Sequence, residues 1–140
     1  MQVKWVSIKV AIAFVRKHHR HRPNLAGGIV ALGAFVDGQL VGVAVLGRPA
    51  RMDATNTVTI TRVATNGYHN ACSALYAKAK RLAEALGFEK VKTFTELDED
   101  GASLRAVKAK DDGLTKGGHW SRSGRPRTTD DTRKRRRWIL

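Results

Sequence analysis

Hydrophobic and polar positions alternate in two different ways along the first third of the chain. Residues 2–8 (QVKWVSI) alternate roughly with period two, which predicts a short strand, whereas 9–19 (KVAIAFVRKHH) have the spacing of an amphipathic helix. Two apolar runs follow, at 29–36 and 39–47, joined by Asp37-Gly38. Asp-Gly suits the tight turn of a β-hairpin, because the central residues of that turn have positive φ. We therefore expect a strand, a helix and a hairpin, in this order.

The period changes again in the middle of the chain. TVTITRVAT (57–65) alternates as a strand, and HNACSALYAKAKRLAEAL (69–86) is the best helical pattern in the sequence. Asn66 or Asn70 is suited to cap the start of this helix, and Gly87 to end it. The face predicted to be buried consists of Ala71, Leu75, Ala79, Leu82 and Leu86.

The last third predicts a strand, a helix and short strands. KVKTFTEL (90–97) alternates cleanly, and DEDGASLRAVKAK (98–110) has the acidic start that a helix dipole favours. Short strands are expected around His119–Arg122 and Arg136–Ile139. The whole order predicts an α/β fold (an α+β mixed sheet), in which a mixed central sheet is flanked by helices.

At 140 residues the chain is expected to form one domain. We place the domain at 1–126 and a basic C-terminal segment at 127–140, either a tail or a last strand of the same domain. The sequence contains no run of about 18 apolar residues, so no membrane span is predicted. Its first residues are apolar and then basic, the reverse of a secretory signal. The oligomeric state is left open.

The net charge of +14 is concentrated near the end of the chain, since residues 115–140 hold nine Lys/Arg and two Asp, half of the excess. This distribution favours polyanionic partners, nucleic acid or a phosphate-rich cofactor; a solvated basic surface is the alternative. Trp120 and Trp138 either stack on bases or belong to the core. The candidate nucleic-acid-binding residues are Arg20, Arg22, Arg133, Lys134, Arg135, Arg136 and Arg137.

The single cysteine, Cys72, excludes an internal disulfide framework and a cysteine-based zinc site, and it fits a reducing cytoplasm. The histidines at 18, 19 and 21 lack the i, i+4 spacing of a zinc pair, so no metal is predicted; they either contact substrate or phosphate or form a basic helix end. A nucleophilic Cys72 activated by His69 is geometrically possible, but a small packing residue is the simpler interpretation.

The stretch TNGYHNACSALY (65–76) joins the strand 57–65 to the best helix, and this junction resembles the turn of GNAT acyltransferases. In that family a turn patterned Arg/Gln-x-x-Gly-x-Gly/Ala presents backbone N–H groups to the pyrophosphate of acetyl-coenzyme A. Here Gly67 stands where Arg/Gln is usual, and Asn70 and Cys72 stand in place of the two small residues. Asn tolerates the left-handed conformation that glycine otherwise supplies.

A narrower resemblance covers nearly the whole chain. HHRHRPNLAGG, VGVAVLGRP, TRVATNGYHNACSALY, ELDEDGASLRA and KRRRW occur together in this order. The set is similar to a small group of GNAT-like proteins of phages and mobile elements, distantly similar to the Mom-type proteins that alter adenine in phage DNA. The resemblance implies an acyl-CoA cofactor, most simply acetyl-CoA, and transfer to an amine. Two alternatives stay open: Mom-like modification of DNA adenine, and a catalytically inactive basic module that binds nucleic acid.

The resemblance also implies where the cofactor binds. The strands Ile60–Thr65 and Val91–Glu96 would splay apart and admit pantetheine, which would bond to the backbone near Val63–Thr65. Coenzyme A would then lie along the turn from Val63 to Ser73. The cofactor-binding residues implied are Val63, Ala64, Thr65, Gly67, Tyr68, His69, Asn70, Ala71, Cys72 and Ser73.

Three residues are candidates for the chemistry of acyl transfer, which needs a base, an acid and an oxyanion donor. Glu96, at the end of a splayed strand, is either the general base or a solvated carboxylate. Many GNAT members use a tyrosine acid on the last helix; SLRAVKAK has none, so Ser103 either takes that role or caps the helix. Arg62 either binds an anion in the cleft or faces solvent. Tyr68 and Tyr76 are alternative acids.

Overall fold

The computed structural model describes residues 1–19, 25, 27–48, 56–115 and 134–140. The strand predicted around His119–Arg122 lies outside the described residues. The strands are β1 (Gln2–Val6), β2 (Val30–Val36), β3 (Gln39–Gly47), β4 (Thr57–Thr65), β5 (Lys90–Glu96), β6 (Lys110–Leu114) and β7 (Arg135–Ile139). The helices are α1 (Ile8–His18), α2 (Ala71–Ala85) and α3 (Ala102–Ala106).

The strands form one seven-stranded mixed sheet in the order β1-β2-β3-β4-β5-β7-β6. Only β4 and β5 are parallel; every other neighbouring pair is antiparallel. The parallel connection passes through α2, as parallel neighbours require a crossover. The predicted α/β class with a mixed sheet and flanking helices is confirmed.

The two long helices cover opposite faces of the sheet. Ala11 and Val15 of α1 pack against Val43 and Val45 in one cluster of buried residues. The other cluster contains Ala71, Leu75, Ala79 and Ala83 of α2, packed on the strands. We call these the α1 face and the α2 face. The buried stripe of α2 follows every fourth residue and therefore ends at Ala83. Leu86, which was predicted to be buried, is exposed.

Local residue chemistry explains the first connections. The Ser7 hydroxyl accepts the N–H of Val10 at 3.1 Å and so caps the start of α1. Asp37 and Gly38 both have positive φ (50° and 78°), as the predicted hairpin turn requires. A single residue, Ser7, therefore separates α1 from β1, which is shorter than predicted.

The helix predicted at 98–110 is wrong at both ends. Gly101 has φ 72°, and Lys108 has φ 61°, so neither residue continues a right-handed helix. A Cβ on Gly101 would come within 2.5 Å of the Trp138 ring, which leaves room for glycine alone. The acidic residues 98–100 consequently form a turn, and the segment after Lys108 becomes β6.

The end of the chain belongs to the sheet. β7 lies between β5 and β6, and Trp138 is 3% exposed, with its indole N–H donating to Thr95 Oγ1 at 3.0 Å. Trp138 is therefore a core residue, and the alternative in which it stacks on bases is wrong. Trp120 lies outside the described residues.

Candidate active site

The parallel strands β4 and β5 pair over only part of their lengths. Thr57–Ile60 pair with Lys90–Thr93, and the last pair is Ile60 with Thr93. Both strands continue beyond it, β4 to Thr65 and β5 to Glu96, without pairing with each other. We call this opening the fork. It lies at the segments predicted to splay, and along it the β5-facing edge of β4 has no strand partner among the described residues.

A β-bulge begins the fork. On the other side of β4, Val45 pairs with Arg62 and Leu46 pairs with Ile60, so Thr61 is an extra residue. The Thr61 hydroxyl donates to the carbonyl of Val45 at 3.2 Å. Gly47 makes room, since a Cβ there would lie 3.0 Å from Thr61 Cγ2. Because a bulge bends its strand and increases its twist, β4 turns away from β5 immediately after Ile60.

The bulge also decides which face Arg62 occupies. Ile60 belongs to the α2-face cluster, and regular alternation would place residue 62 on that face too. The extra Thr61 turns Arg62 to the face of its cross-strand partner Val45, which is the α1 face. The Arg62 guanidinium is half-buried there and donates to the Thr61 carbonyl at 2.7 Å. Arg62 is therefore only partly exposed, on the face that α1 covers, and its binding of an anion stays a prediction.

Glu96 lies on the same face, on the opposite side of the fork. Val91 packs in the α2-face cluster, so alternation along β5 directs residue 96 to the α1 face. Glu96 is 7% exposed, and its carboxylate lies 3.8 Å from Arg135 Nε of the neighbouring β7. It is not a solvated strand-end carboxylate, so that alternative is wrong. The fork has a buried acid and an arginine on one face.

The turn between β4 and α2 is held by side chains from within it. Thr65 Oγ1 accepts the N–H of Gly67 at 3.2 Å, and Asn66 Oδ1 accepts the N–H of Tyr68 at 3.1 Å. Asn70 has φ 64° and ψ 4°, the left-handed conformation for which its residue type was noted. Its side chain makes no capping bond, and that of Asn66 serves the turn. The predicted side-chain cap of α2 is therefore wrong.

This geometry leaves backbone donors at the start of α2. The N–H of Ala71 bonds to the Tyr68 carbonyl, and the first bond within α2 is from Ala74 to Asn70. In the described part of the chain, the N–H groups of Cys72 and Ser73 have no intrahelical acceptor, as is general for a first helical turn. Aligned N–H groups at the positive end of a helix dipole favour an anion.

The structure places the predicted cofactor-binding residues along one continuous path. Val63 and Thr65 face α2, while the side chains of Ala64 and Ala71 are buried in the core, so only their backbones are available. The exposed part of the path consists of Gly67, Tyr68, His69 and Asn70. Cys72 and Ser73 lie in the first turn of α2, and the Ser73 hydroxyl donates to the Asn70 carbonyl at 3.1 Å.

Cys72 is part of a polar cluster on the α2 face of the fork. Its thiol is within hydrogen-bonding range of Thr65 and Ser103, and it lies in the field of Glu99. Burial, ahead of these contacts, raises the pKa of the thiol. A raised pKa opposes thiolate formation and so favours the alternative in which Cys72 is a small packing residue. The described contacts of the thiol are with Thr65 and Ser103, and His69 is exposed.

Ser103 points to the same cluster and does not cap α3. The residue before α3 is Gly101, and the Asp100 carboxylate accepts the N–H of Ala102 at 2.9 Å. The alternative in which Ser103 caps a helix is therefore wrong. Its hydroxyl lies beside the Cys72 thiol, between α2 and α3.

Two residues of this cluster, Thr93 and Glu99, were missed by sequence reasoning, and Tyr76 was named only as an alternative acid. Tyr76, one turn after Cys72, lies near Thr93, and the Thr93 hydroxyl donates to the Ile60 carbonyl at 2.8 Å. Glu99 folds back so that its carboxylate accepts the N–H of Glu96 at 2.9 Å. The i, i+4 spacing of Cys72 and Tyr76 was the available signal, but the contact with β5 depends on the crossover.

The basic end of α1 lies at the same end of the sheet as the fork. Phe14, in the second half of α1, packs in one cluster with Leu40, which lies beside the turn between β2 and β3. The His18 ring packs on Phe14 with centroids 4.3 Å apart. Arg20, His21 and Arg22 lie outside the described residues. No group of three His, Cys, Asp or Glu in the described ranges is arranged to hold a metal ion.

The arginines of β7 are paired with carboxylates. Arg136 contacts Asp111 at 2.6 Å and Arg137 contacts Asp112 at 2.7 Å, both from β6, and Arg135 faces Glu96. The N–H of Gly113 and then Arg136 lower the pKa of Asp111. Lys134 is exposed, and Arg133 lies outside the described residues. The basic run is thus partly neutralised inside the sheet.

Several solved acetyltransferase structures share this architecture. The acetyltransferase of Bacillus subtilis, in complex with CoA, covers 99% of this chain and 97% of its own at 14% identity and a TM-score of 0.70. The ribosomal-protein-alanine N-acetyltransferase of Brucella melitensis covers 100% of this chain and 99% of its own, at 12% identity and a TM-score of 0.70. The polyamine N-acetyltransferase of Drosophila melanogaster covers 99% of this chain and 98% of its own, at 11% identity and a TM-score of 0.66. These likenesses establish the GNAT fold.

The sequence itself matches the Mom protein family over residues 1–81, more than half of the chain. The chain belongs to the Mom protein family. The part of this Mom-family protein that matches extends from β1 into α2, so it contains the bulge, the β4 side of the fork and the whole turn. A search of curated proteins gave no match. In the described part of the Mom-family protein, no helix has the length and apolar character of a membrane span.

Proposed function

We propose that this Mom-family protein is an acyl-CoA-dependent N-acyltransferase, most simply an acetyltransferase, that acts on an amine. The observation that carries the proposal is the fork between β4 and β5, which leads directly to the open first turn of α2. The unpaired edge of β4 is suited to bond the amides of pantetheine, as an added strand would. The first turn of α2 is suited to bind the pyrophosphate. Asn70 supplies the left-handed conformation there in place of glycine.

The two faces of the fork divide the chemistry. On the α1 face, Glu96 takes the proton of the attacking amine, and Arg62 holds an anionic group of the acceptor or cofactor. The amine attacks the thioester carbonyl, the carbon–sulfur bond breaks, and the thiolate of coenzyme A takes a proton. Ser103 takes the place of the missing tyrosine acid and donates this proton, because α3 holds its hydroxyl beside the first turn of α2. Burial of Glu96 strengthens its interaction with a developing positive charge.

A second candidate acceptor is favoured by family membership. Mom-type proteins alter adenine in phage DNA, and the exocyclic amine of adenine is an acceptor of the proposed chemical class. The match over residues 1–81 supports this candidate, and so does the net charge of +14. The same membership favours a phage or mobile-element origin, and the single cysteine favours a reducing cytoplasm.

Two measurements test the proposal. Calorimetric titration with CoA and acetyl-CoA is expected to give one site per chain, with a dissociation constant in the micromolar range. Incubation with acetyl-CoA and either duplex DNA or a panel of small amines, followed by mass spectrometry, identifies the acceptor. CoA binding without product in any reaction would favour the inactive nucleic-acid-binding module. Absence of binding at high micromolar CoA would contradict the proposed function.

A further inference from the structure

Three residues form a chain of polar contacts at the point where the fork begins, and one of these contacts is a hydrogen bond between Thr93 and Ile60. The Thr93 hydroxyl donates to the backbone carbonyl of Ile60 at 2.8 Å in a buried position. The phenol of Tyr76 is within hydrogen-bonding range of the Thr93 side chain. A hydroxyl has one proton to donate, and that of Thr93 is directed to Ile60, so a bond between the two side chains would have the phenol as its donor. The chain of contacts therefore runs from Tyr76 to Thr93 to Ile60.

This chain ties α2, β5 and β4 together at a single level of the sheet. Ile60 and Thr93 are the last paired residues of the two strands, and the bulge at Thr61 follows at once. Burial raises the pKa of Tyr76 far above its ordinary value, so the phenol keeps its proton through neutral pH. The phenol of Tyr76 is therefore able to donate a hydrogen bond throughout this pH range.

We propose that Tyr76 and Thr93 are positioning residues that lock the last pair of β4 and β5 and thereby fix the depth of the fork. The inference rests on the proposed function, because the fork is the site assigned to pantetheine. The last residue pair of two strands has a neighbouring pair on one side only, so its backbone hydrogen bonds are the first to open. A fork of fixed depth presents pre-ordered walls to the cofactor, whereas a fraying fork must be ordered again on binding.

The chain offers a matched control on the paired part of β4. Thr59 is 6% exposed, and its hydroxyl has no hydrogen-bond partner among the described residues. Thr93→Val and Thr59→Val replace the same buried residue type by the same isostere, but only the first removes a bond at the start of the fork. Thr93→Ser keeps the hydroxyl and serves as the rescue, and Tyr76→Phe removes the phenol while keeping the ring.

The test combines amide hydrogen exchange, followed by NMR without ligand, with calorimetric titration of CoA. In Thr93→Val and Tyr76→Phe, exchange at residues 60 and 93–94 is expected to rise roughly five- to tenfold relative to the rest of the sheet. The affinity for CoA is expected to fall by a similar factor. Thr93→Ser is expected to resemble the wild type, and so is Thr59→Val at these amides.

Three results would overturn the inference. Unchanged exchange at residues 60 and 93–94 in Thr93→Val would show that no lock exists. A uniform rise over all strands, equal in Thr59→Val, would show a general loss of stability. Local fraying with unchanged CoA affinity would remove the positioning role. A wild-type protein that does not bind CoA contradicts the proposed function instead, and the exchange data, which need no ligand, still decide whether the lock exists.

Discussion

The Thr61 hydroxyl donates to the backbone carbonyl of Val45 at 3.2 Å, across the register shift between β3 and β4. This contact holds the extra residue whose presence turns Arg62 to the α1 face and directs β4 away from β5. The side chain of a single threonine therefore supports both the opening of the fork and the placement of one of its charged residues.

Thr61→Val is expected to lower the free energy of unfolding by about 1 kcal/mol, the usual net contribution of one hydrogen bond. Urea denaturation measures this change. Thr61→Ser keeps the hydroxyl and is the control, with an expected loss well below that of the valine variant. Equal stability of the valine variant and the wild type would mean that the hydroxyl does not hold the bulge.

Ser73→Glu is expected to weaken CoA binding at least tenfold, because it adds a negative charge at the first turn of α2, where the pyrophosphate is proposed to bind. An acidic residue there favours the helix dipole, so loss of folding does not explain a lower affinity. Ala85→Glu makes the same charge change at the exposed far end of α2. Calorimetry should separate the two variants; similar affinities would argue against the turn as the anion site.

Most of the fold follows from local chemistry that a sequence displays. Asp37-Gly38 determines the hairpin, and the period of 57–65 and 69–86 determines β4 and α2. The face of Arg62 does not follow, because alternation assumes one residue per rung, and a bulge changes the count by one. The length of α3 does not follow either. Its start is limited by Gly101, which has positive φ and contacts Trp138, a residue 37 positions later in the chain.

The candidate site divides in the same way. The turn is contiguous in sequence, so its residues were predicted together. Glu96 was predicted because it ends a strand, but its burial against Arg135 depends on β7 joining the sheet beside β5. Thr93 was missed, and so was its contact with Tyr76, because this contact is created by the crossover through α2, which no periodicity records.

Glu96→Gln is expected to lower the turnover number of the proposed transfer roughly 100-fold or more while leaving the dissociation constant of CoA unchanged. The amide keeps the shape of the side chain but cannot accept the proton of the amine. Steady-state kinetics on the identified acceptor, with calorimetry alongside, checks this separation. A matched loss of CoA affinity would show that Glu96 supports the fold of the fork and is not a base.

Cys72 is expected to react slowly with iodoacetamide at neutral pH, because burial raises the pKa of its thiol and the thiolate is the reactive form. The alkylation rate should rise at a higher pH than for an unfolded control of the same chain. The raised pKa also means that the neutral thiol contributes to the free energy of unfolding. This contribution is complete below the ordinary pKa of the thiol and is lost as the pH rises through the raised pKa. Rapid alkylation at pH 7 would contradict the described burial.

Asp111→Asn with Asp112→Asn is expected to strengthen binding to duplex DNA, because each carboxylate neutralises one arginine of β7. Arg136 and Arg137 would then be free to bind phosphates, and the dependence of affinity on salt should steepen by up to two released counterions. Fluorescence anisotropy with a labelled duplex at several salt concentrations measures both quantities. Asp37→Asn with Glu84→Gln makes the same charge change as a control, since both residues are exposed, one in the turn between β2 and β3 and the other near the end of α2. An equal gain in both double variants would mean that net charge alone attracts the DNA. A gain limited to the β6 variant would identify β7 as a phosphate-binding strand that its own neighbour holds in a neutralised state.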